Sequence, residues 1–588
     1  MTKVASSQLI ITGTMNLSIN PQKTPISRYG SYLCFLDQRG GCPSNKNPLG
    51  EGLYLRSVTT ARTDALREIF KIELFRNGAI VDADIRGFPA GVSLSGNKGE
   101  EARLCLDKPD MSDYVRIQGK GTGLRLNAPI SLYVNASPLD EYRCTMVSFP
   151  TNLRFGIEVI KGELKLDAPW GSHQCEYIAI ELLPDEDGCL EAEIHTYTST
   201  WDKRTAPAYE NVEREAQSSL ARFLEAMPAI KDTSLNEAAS LATYVCWSNT
   251  VRPKGFFRRN AIVMSKNTMS NVWPWDNCFN TMALCDSHPE LAWDQIRVVT
   301  DHQDEWGALP DGINPNSVQW SFCKAPVYGY TYRYCLSRNP DYFGETNRLT
   351  EAYAIISRLS EWWLNHRRLE GSPLVYLSHG NDGFDTSTMF LQGCPLEGPD
   401  VNAYLSYQTG VLSDLAARLG RSEEGERWRT ISDELLDATV RILWDKEKDQ
   451  FISRRYDGLE VICDSCQMLI PLILGKRLPQ AVIDSLIRRL EPFITPHGVA
   501  SELPSSPYYE PDGHCRGSIW APPTFFLANG CRSVGRDDIA GRIEENYCSM
   551  LAREGFNECF DALAGTAQRE LAYSWTANVF LMFLKESN

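Results

Sequence analysis

The chain has 588 residues, which is too long for a single hydrophobic core and predicts two or three domains. Its formal net charge of −16 argues against nucleic acid or an anionic membrane as the main partner. No run of ~18 apolar residues is present that would predict a transmembrane helix. Residues 1–17 lack the features of a signal peptide, so we expect a cytoplasmic protein whose 18 cysteines are reduced.

Residues 1–200 predict a β-sandwich-like domain. Short runs of alternating apolar and polar residues recur there, separated by clusters of Gly, Pro, Asn and Asp, and no helical periodicity intervenes. Many short strands with turn signals between them are typical of a sandwich. Residues 201–232 are predicted to form a linker that contains a first helix.

Residues 233–588 predict an all-α domain. Apolar residues recur there at three- and four-residue spacing, as Ala352, Ile356 and Leu359 do. The predicted helices are 234–250, 275–285, 289–303, 322–337, 346–368, 402–419, 422–443, 460–475, 479–491, 517–533, 536–552 and 570–585.

The connections between these twelve predicted helices alternate between long and short. The long ones are 251–274, 304–321, 369–401, 444–459, 492–516 and 553–569. Because consecutive antiparallel helices place alternate connections at opposite ends of a bundle, all six long loops should share one face. This rhythm predicts an (α/α)6 toroid with a functional face built from long loops. An α-solenoid would need an internal sequence period, and none is found.

Chemically suggestive residues fall in or beside the long loops. Tryptophans and carboxylates dominate them, and such a set fits a polyhydroxylated ligand, which needs flat apolar faces and fixed hydrogen-bonding groups. The candidate site residues are Trp273, Trp275, Asp276, Gln303, Asp382, Phe384, Asp385, Arg516, Trp520, Glu558 and Trp575.

Each candidate also has a simpler explanation. Asp276 could cap a helix, and the tryptophans could belong to the core. Arg516 could pair with a surface acid, and Glu558 could be one more solvated carboxylate. Convergence on one face favours a site over these separate explanations.

The sequence offers no competing catalytic set. It contains no GxSxG elbow, no P-loop and no GxGxxG after a strand, and its histidines lack metal-ligand spacing. Cys463-x-x-Cys466 has no second pair nearby, so neither a metal nor another cofactor is predicted. A reaction run by carboxylates beside sugar-stacking aromatics is glycoside cleavage, in which one acid protonates the leaving oxygen and another activates water.

Four segments, in this order, resemble glycoside hydrolase family 63 and, more broadly, the trehalase-like and mannosylglycerate hydrolase-like (α/α)6 glycosidases. They are WPWDN at 273–277, GNDGFDTST at 380–388, RGSIW at 516–520 and NECFDALAG at 557–565. The resemblance covers about residues 230–588. It implies an enzyme that inverts configuration at α-linkages.

The resemblance also implies residue roles. Asp385 matches the general acid and Glu558 the general base. Trp273, Trp275 and Asp276 are expected around the sugar of subsite −1, and Arg516 and Trp520 match an RGxxW element that lines the pocket. Thr386 stands where Asn is usual, and Cys515 where an aromatic often precedes the Arg-Gly. Asp382, three residues before Asp385, is the rival for the acid.

The resulting prediction is an exo-acting hydrolase that removes a terminal α-linked sugar, of α-glucosidase or α-mannosidase type, from a small glycoside or oligosaccharide. An epimerase or lyase on the same architecture would use His302, His379 or His514. A phosphorylase would need a basic phosphate site. A catalytically inactive carbohydrate-binding protein is the remaining alternative. The sequence is silent on the oligomeric state.

Overall fold

The structure, a computed structural model, describes residues 17–39, 47–59, 66–228, 230 and 232–586. The N-terminal stretch that lacks signal-peptide features therefore lies almost wholly outside the described residues. No helix within the described ranges has the length and apolar character needed to cross a membrane.

The N-terminal third of the chain consists of two eight-stranded antiparallel sheets. One sheet has the order β1-β2-β3-β4-β10-β15-β14, with β5 added on β4, and the other has the order β11-β12-β13-β16-β9-β8-β7-β6. The strands are β1 Ile26–Ser27, β2 Leu33–Asp37, β3 Leu53–Ser57, β4 Glu68–Arg76, β5 Ala79–Val81, β6 Asp84–Phe88, β7 Gly91–Ser95, β8 Glu101–Leu106, β9 Tyr114–Lys120, β10 Gly123–Ala128, β11 Asn135–Pro138, β12 Arg143–Ser148, β13 Leu153–Lys161, β14 Glu163–Asp167, β15 Ile178–Leu183 and β16 Cys189–Tyr197.

The two sheets pack face to face. In β12, Cys144, Met146 and Ser148 are buried while the alternate residues are partly exposed, which is the period-2 pattern of a half-buried strand. Phe70 of β4 meets Phe155 of β13 edge-on, with ring centroids 5.9 Å apart, and so joins the inner faces of the sheets. The predicted β-sandwich is confirmed.

The remainder of the chain is helical. Its α-helices are α1 Tyr209–Glu225, α2 Asn236–Asn249, α3 Pro274–Leu284, α4 Pro289–Thr300, α5 Tyr328–Arg338, α6 Pro340–Phe343, α7 Thr346–His366, α8 Pro399–Arg418, α9 Ser422–Leu443, α10 Gln480–Leu490, α11 Ala521–Ser533, α12 Asp537–Glu554 and α13 Ser574–Glu586. A long 3-10 helix, Cys466–Arg477, lies between α9 and α10, and short 3-10 turns occur at Phe149–Thr151, Thr233–Leu235, Gly380–Asp382, Thr388–Phe390 and Glu491–Phe493. The loops carry the short strands Thr250–Val251, Ala261–Ile262, Gly312–Asn314, Ser317–Gln319, Leu396–Glu397, Trp444–Asp445, Gln450–Phe451, Ser453–Arg455, Glu460–Val461, Ile494–Thr495, Gly498–Val499, Ile519–Trp520, Cys559–Phe560 and Ala567–Gln568.

Contacts between the helices close a ring. The elements α3, α5, α8, the 3-10 helix, α11 and α13 each contact the next, and α13 contacts α3 again. The helices α2, α4, α7, α9, α10 and α12 pack outside this ring. Burial follows the same division, because every residue of the inner helix α3 is buried whereas the outer helix α9 exposes one face. The predicted (α/α)6 toroid is confirmed.

Two predicted helices depart most from the structure, because each is predicted to begin six residues before the observed element. The helix predicted at 322–337 begins only at Tyr328, because Pro326 disfavours helical backbone at the residue before it. The helix predicted at 460–475 is a 3-10 helix from Cys466, preceded by the strand Glu460–Val461. Pro471 lies inside this element and Gly475 has φ of 57°, which interrupts regular α-helical hydrogen bonding.

The long connections lie at one end of the toroid, as predicted. Each of the six inner elements is preceded by a long loop, whereas the connections from an inner element to its outer partner are short. The N-termini of the inner elements therefore point to the face on which the long loops gather. That face carries the candidate site.

Candidate active site

A cavity of about 240 Å³ opens on the long-loop face. Five of the six long loops, with the first turns of the helices that follow them, contribute to its wall. It is lined by Met269, Trp273, Trp275, Asp276, Asp311, Lys324, Asn381, Gly383, Phe384, Asp385, His514, Cys515, Trp520, Pro522, Pro523, Glu558, Tyr573 and Trp575.

The loop that presents Asp385 is organised by Asp382, whose side chain is completely buried. One carboxylate oxygen accepts a hydrogen bond from the backbone N–H of Cys323 at 2.9 Å. The other accepts from the backbone and the hydroxyl of Ser378 at 2.6 and 2.7 Å. The Arg367 guanidinium lies 3.7 Å from the same oxygen. Asp382 is thus fully engaged with protein groups.

Two further contacts hold the loop. Gly380 lies so close to the backbone of Asp385 that a Cβ on it would come within 2.1 Å of the Asp385 carbonyl oxygen, so only glycine fits. The Thr386 hydroxyl donates to the carbonyl of Gly513 and accepts from the backbone N–H of Cys515, both at 3.0 Å. Thr386 therefore ties the Asp385 loop to the loop before α11.

Glu558 precedes the strand Cys559–Phe560, the middle strand of a three-stranded sheet. Its side chain is only 6% exposed. Burial, reinforced by the neighbouring Glu570 carboxylate, raises the pKa of Glu558 to about 8. The Trp575 indole N–H donates to the Glu558 carbonyl at 3.2 Å and fixes the backbone of this residue.

A second buried carboxyl, Asp276, lies in the first turn of α3. Tyr573 donates a hydrogen bond to it at 3.0 Å. Burial raises the pKa of Asp276 to about 7, although Lys324 and the Tyr573 hydrogen bond act in the opposite direction. Lys324 is the cation of the cavity wall; its ammonium lies 3.5 Å from Asp311 and donates to the Asn381 carbonyl.

Aromatic rings form much of the remaining wall. Trp520 meets Trp575 edge-on at 5.5 Å between centroids, and His514 packs on Trp520 at 4.4 Å. Trp275 packs on Tyr404 of α8 and Phe526 of α11, which closes the cavity toward the interior of the toroid. The result is a closed-ended pocket with flat apolar sides and buried carboxyls.

The structure gathers most of the sequence-predicted residues in this cavity and places three elsewhere. Those in its wall are Trp273, Trp275, Asp276, Phe384, Asp385, Trp520, Glu558 and Trp575. Gln303 donates to the carbonyls of Gly307 and Ile355, and so braces its own loop. The Asp382 carboxylate accepts hydrogen bonds from Cys323 and Ser378. The Arg516 guanidinium pairs with the Glu510 carboxylate at 3.1 Å. Gln303, Asp382 and Arg516 therefore lie outside the cavity wall, and their contacts with substrate stay predictions.

The three candidate histidines are also separated by the structure. His514 alone of the three lines the cavity, and burial lowers its pKa to about 4, so it is neutral near pH 7. His302 bonds to the Phe256 carbonyl at 2.8 Å, and His379 stacks on Phe322 with centroids 4.8 Å apart.

Sequence reasoning misses Lys324 and Tyr573 as site residues. The helix predicted to begin at residue 322 includes Lys324. Pro326 indicates a later helix start, which places Lys324 in the loop before α5. Tyr573 falls within the helix predicted at 570–585, which in the structure begins at Ser574. Met269, Pro522 and Pro523 carry no chemical signal in the sequence.

A family model described as the mannosylglycerate hydrolase MGH1-like glycoside hydrolase domain matches residues 269–576. Among curated relatives, a mannosylglycerate hydrolase from Thermus thermophilus is 32% identical over 82 residues, which are 14% of this chain and 20% of that protein. The mannosylglycerate hydrolase MGH2 of Selaginella moellendorffii is 26% identical over 91 residues, 16% of this chain and 19% of that protein. The matched segments thus span about one fifth of these relatives.

Solved structures show the same architecture. A family 63 mannosylglycerate hydrolase from Thermus thermophilus, in complex with Tris and D-glycerate, has a TM-score of 0.52 and 20% identity, and the match covers 58% of this chain and 99% of that one. A bacterial glucoamylase complexed with acarbose has a TM-score of 0.65 and 10% identity, and the match covers 97% of this chain and 94% of that one. The resemblance predicted from the four sequence segments is confirmed.

Proposed function

The chain belongs to the family of mannosylglycerate hydrolase MGH1-like glycoside hydrolases, and from that premise we propose that it is an inverting, exo-acting glycoside hydrolase with Asp385 as general acid and Glu558 as general base. The observation that carries the proposal is that these two carboxyls line one small aromatic pocket. Protonation of a leaving oxygen and activation of water are the two tasks that such a pair performs.

The pocket suits one terminal sugar. Its volume of about 240 Å³ suits a monosaccharide unit better than a long chain. Trp520 and Trp575 offer faces for the C–H surface of a sugar ring. Asp276 and Lys324 supply a carboxyl and an ammonium for ring hydroxyls. The names of the relatives favour a mannosyl group attached to a small aglycone such as glycerate, and the α-linkage rests on the resemblance of the four sequence segments.

The mechanism requires the two carboxyls to differ in protonation. Asp385 donates its proton to the glycosidic oxygen as the C–O bond breaks, while ionised Glu558 takes a proton from a water that attacks the anomeric carbon from the other side of the ring. The released sugar carries the new hydroxyl with inverted configuration. Because the pKa of Glu558 is raised to about 8, kcat/KM should increase with pH up to that value.

The same raised pKa supports an alternative in which the roles are exchanged. A carboxyl that keeps its proton at neutral pH is suited to donate it, as general acids in apolar pockets do. Glu558 would then protonate the leaving group and Asp385 would activate water. Family motif position favours the first assignment, and leaving-group chemistry separates the two.

The test compares Asp385→Asn and Glu558→Gln on two kinds of substrate. Methyl α-mannoside and α-glucoside need an acid for departure of the leaving group, whereas the α-glycosyl fluorides do not. We expect Asp385→Asn to lose about 10³-fold of kcat on the methyl glycosides but less than about tenfold on the fluorides, and Glu558→Gln to lose about 10³-fold on both.

The matched control is Asp561→Asn, because Asp561 belongs to the same hairpin as Glu558 and its carboxylate only caps the backbone N–H groups of Leu563 and Ala564. This variant should retain activity. Fluoride activity in Glu558→Gln but not in Asp385→Asn would establish the exchanged roles. Full activity of both variants would overturn the proposal of carboxylate-driven hydrolysis.

A further inference from the structure

A continuous set of buried polar contacts joins the β-sandwich to Glu558. It passes through Glu570 and through residues 266–268, a segment of the loop before α3 that ends one residue before the pocket residue Met269. We name residues 266–268 the interdomain segment. Lys266, Asn267 and Thr268 are each at most 4% exposed, and Glu570 is 3% exposed. Buried polar groups in such numbers must satisfy one another, so their geometry is tightly determined.

Glu570 is the partner of Glu558 across the hairpin. The backbone N–H of Glu558 donates to the Glu570 carbonyl at 2.9 Å. The backbone N–H of Glu570 lies 3.5 Å from a carboxylate oxygen of Glu558 and donates to it. Glu570 therefore sets both the position of the Glu558 backbone and the orientation of its side chain.

The Glu570 side chain is held by the interdomain segment. One carboxylate oxygen accepts from the Thr268 backbone N–H at 2.9 Å. The other accepts from the Thr268 hydroxyl and from the Asn267 side-chain amide. The side chain of Glu570 is therefore anchored to two consecutive residues of the interdomain segment.

The interdomain segment is in turn held by the β-sandwich. Arg67 donates to the Thr268 carbonyl at 2.7 Å, and Arg56 donates to the Asn267 side-chain oxygen at 2.8 Å. Arg56 is fixed by Glu68 at 3.1 Å within the same sheet. Lys266 donates to the Ser31 carbonyl at 2.6 Å and to the Ser27 hydroxyl at 2.9 Å. The β-sandwich thus holds the segment that orients Glu570 through several direct polar contacts.

We propose that Glu570 is a positioning residue for Glu558 and that the β-sandwich, through Arg67 and the interdomain segment, forms part of the apparatus that prepares the general base. This inference rests on the proposed role of Glu558. The N-terminal domain then contributes to catalysis as well as to packing. If its contacts with residues 266–268 were lost, the side chain of Glu570 would no longer be held in place.

Charge supports the geometry. The charged groups that act on Glu558 are Glu570 and Arg569 from its own hairpin and Asp276 from α3. Glu570 and Asp276 raise the pKa of Glu558, and Arg569 lowers it. Arg67 is the cation that faces Glu570 from the β-sandwich. Neutralising Glu570 should therefore lower the pKa of Glu558 while loosening its orientation.

The experiment measures pH profiles of the full chain on an α-glycosyl fluoride, for which the general base is limiting. In Glu570→Gln we expect the acid limb of kcat/KM to move down by about one pH unit, and kcat on the plateau to fall about tenfold. Glu544→Gln is the matched control, because Glu544 is likewise a buried carboxylate; it is held by Arg532 at 2.7 Å and lies on α12, outside the cavity wall. The control should leave the limb in place.

The contribution of the β-sandwich is tested with Arg67→Met and Arg67→Lys. If Arg67 acts through Glu570, Arg67→Met should lower kcat, Arg67→Lys should restore part of it, and Arg67→Met combined with Glu570→Gln should be no slower than Glu570→Gln alone. Should Arg67→Met not fold, the same comparison is made with Arg67→Lys. Multiplicative losses in the double variant would overturn the link to the β-sandwich.

The outcomes separate this inference from the proposed function. An inactive Glu558→Gln together with an unshifted acid limb in Glu570→Gln would overturn the positioning role and leave the hydrolase proposal intact. An active Glu558→Gln would overturn the assignment of the base itself. A lowered limb in Glu570→Gln with a fixed limb in Glu544→Gln supports both.

Discussion

The two proposed catalytic carboxyls are held in contrasting ways. Asp385 lies in a loop that is organised within the toroid, by Asp382 and by the Thr386 hydroxyl. Glu558 lies in a hairpin whose support, through Glu570 and the interdomain segment, reaches the β-sandwich. The partners of Asp382 are at most 59 residues away in sequence, whereas Thr268 and Glu570 are separated by 302.

This difference indicates that the two domains support different carboxyls of the pocket. The acid side of the pocket depends on a local network, so it should respond to changes inside the toroid. The base side depends on contacts between domains, so it should respond to changes in the β-sandwich.

Asp382→Asn should disrupt the acid side. The substitution places an NH₂ group among backbone N–H donors and leaves Arg367 without its anionic partner, which should cost ~3 kcal/mol of stability. It should also lower kcat about 100-fold on methyl α-glycosides by displacing Asp385. The measurement is kcat on methyl glycosides and on glycosyl fluorides, with Tm as the stability readout.

The division of labour predicts that the loss in Asp382→Asn depends on the leaving group. Glycosyl fluorides should be spared in this variant, whereas Glu570→Gln should affect both kinds of substrate. Equal losses on fluorides and methyl glycosides in Asp382→Asn would contradict the assignment of this loop to the acid.

Glu558→Gln should gain stability as it loses activity, and the gain should grow with pH. The folded pKa of Glu558, about 8, exceeds its ordinary value of 4.5. Between these two pH values, unfolding therefore releases a proton from Glu558. As pH rises through this window, the free energy of unfolding of the wild type falls by at most ~1.4 kcal/mol per pH unit because of Glu558. Glutamine remains neutral, so this cost is absent from the variant.

The measurement is Tm of wild type and Glu558→Gln from about pH 5 to about pH 8.5. We expect the variant to exceed the wild type by several degrees at the alkaline end and by less at the acid end. Glu426→Gln, an exposed position on α9, controls for the change in net charge. A Tm difference that stays constant with pH would show that Glu558 is not buried in an unfavourable environment.

Much of the architecture is predictable from sequence because it depends on periodic burial. Ala352, Ile356 and Leu359 form one apolar face at helical spacing, and this pattern alone predicts the helix. The structure has helix α7 at this position. The alternation of loop lengths is equally informative, since it follows from helix order alone. The 3-10 element at Cys466–Arg477 escapes prediction because its apolar run has no distinctive period and its backbone is set by Pro471 and Gly475.

Site residues are predictable from the sequence only where a distinctive side chain, such as a tryptophan or a carboxylate, occurs in a loop. Trp273, Trp520 and Glu558 attract notice in a loop, and the structure places them in the cavity wall. Arg516 has equally distinctive chemistry, but its guanidinium forms an ion pair with Glu510 of the same loop. The interdomain segment is beyond sequence reasoning, because nothing in Thr268 or Glu570 indicates a contact across 302 positions.

The configuration of the sugar when it is first released distinguishes inverting from retaining hydrolysis. Proton NMR of an α-glycoside during the first minutes of hydrolysis records the anomer before mutarotation. We expect the β-anomer, formed by a single displacement with water activated at Glu558 and the leaving group protonated at Asp385. Initial release of the α-anomer would contradict it, since retention requires a covalent intermediate and a different use of the two carboxyls.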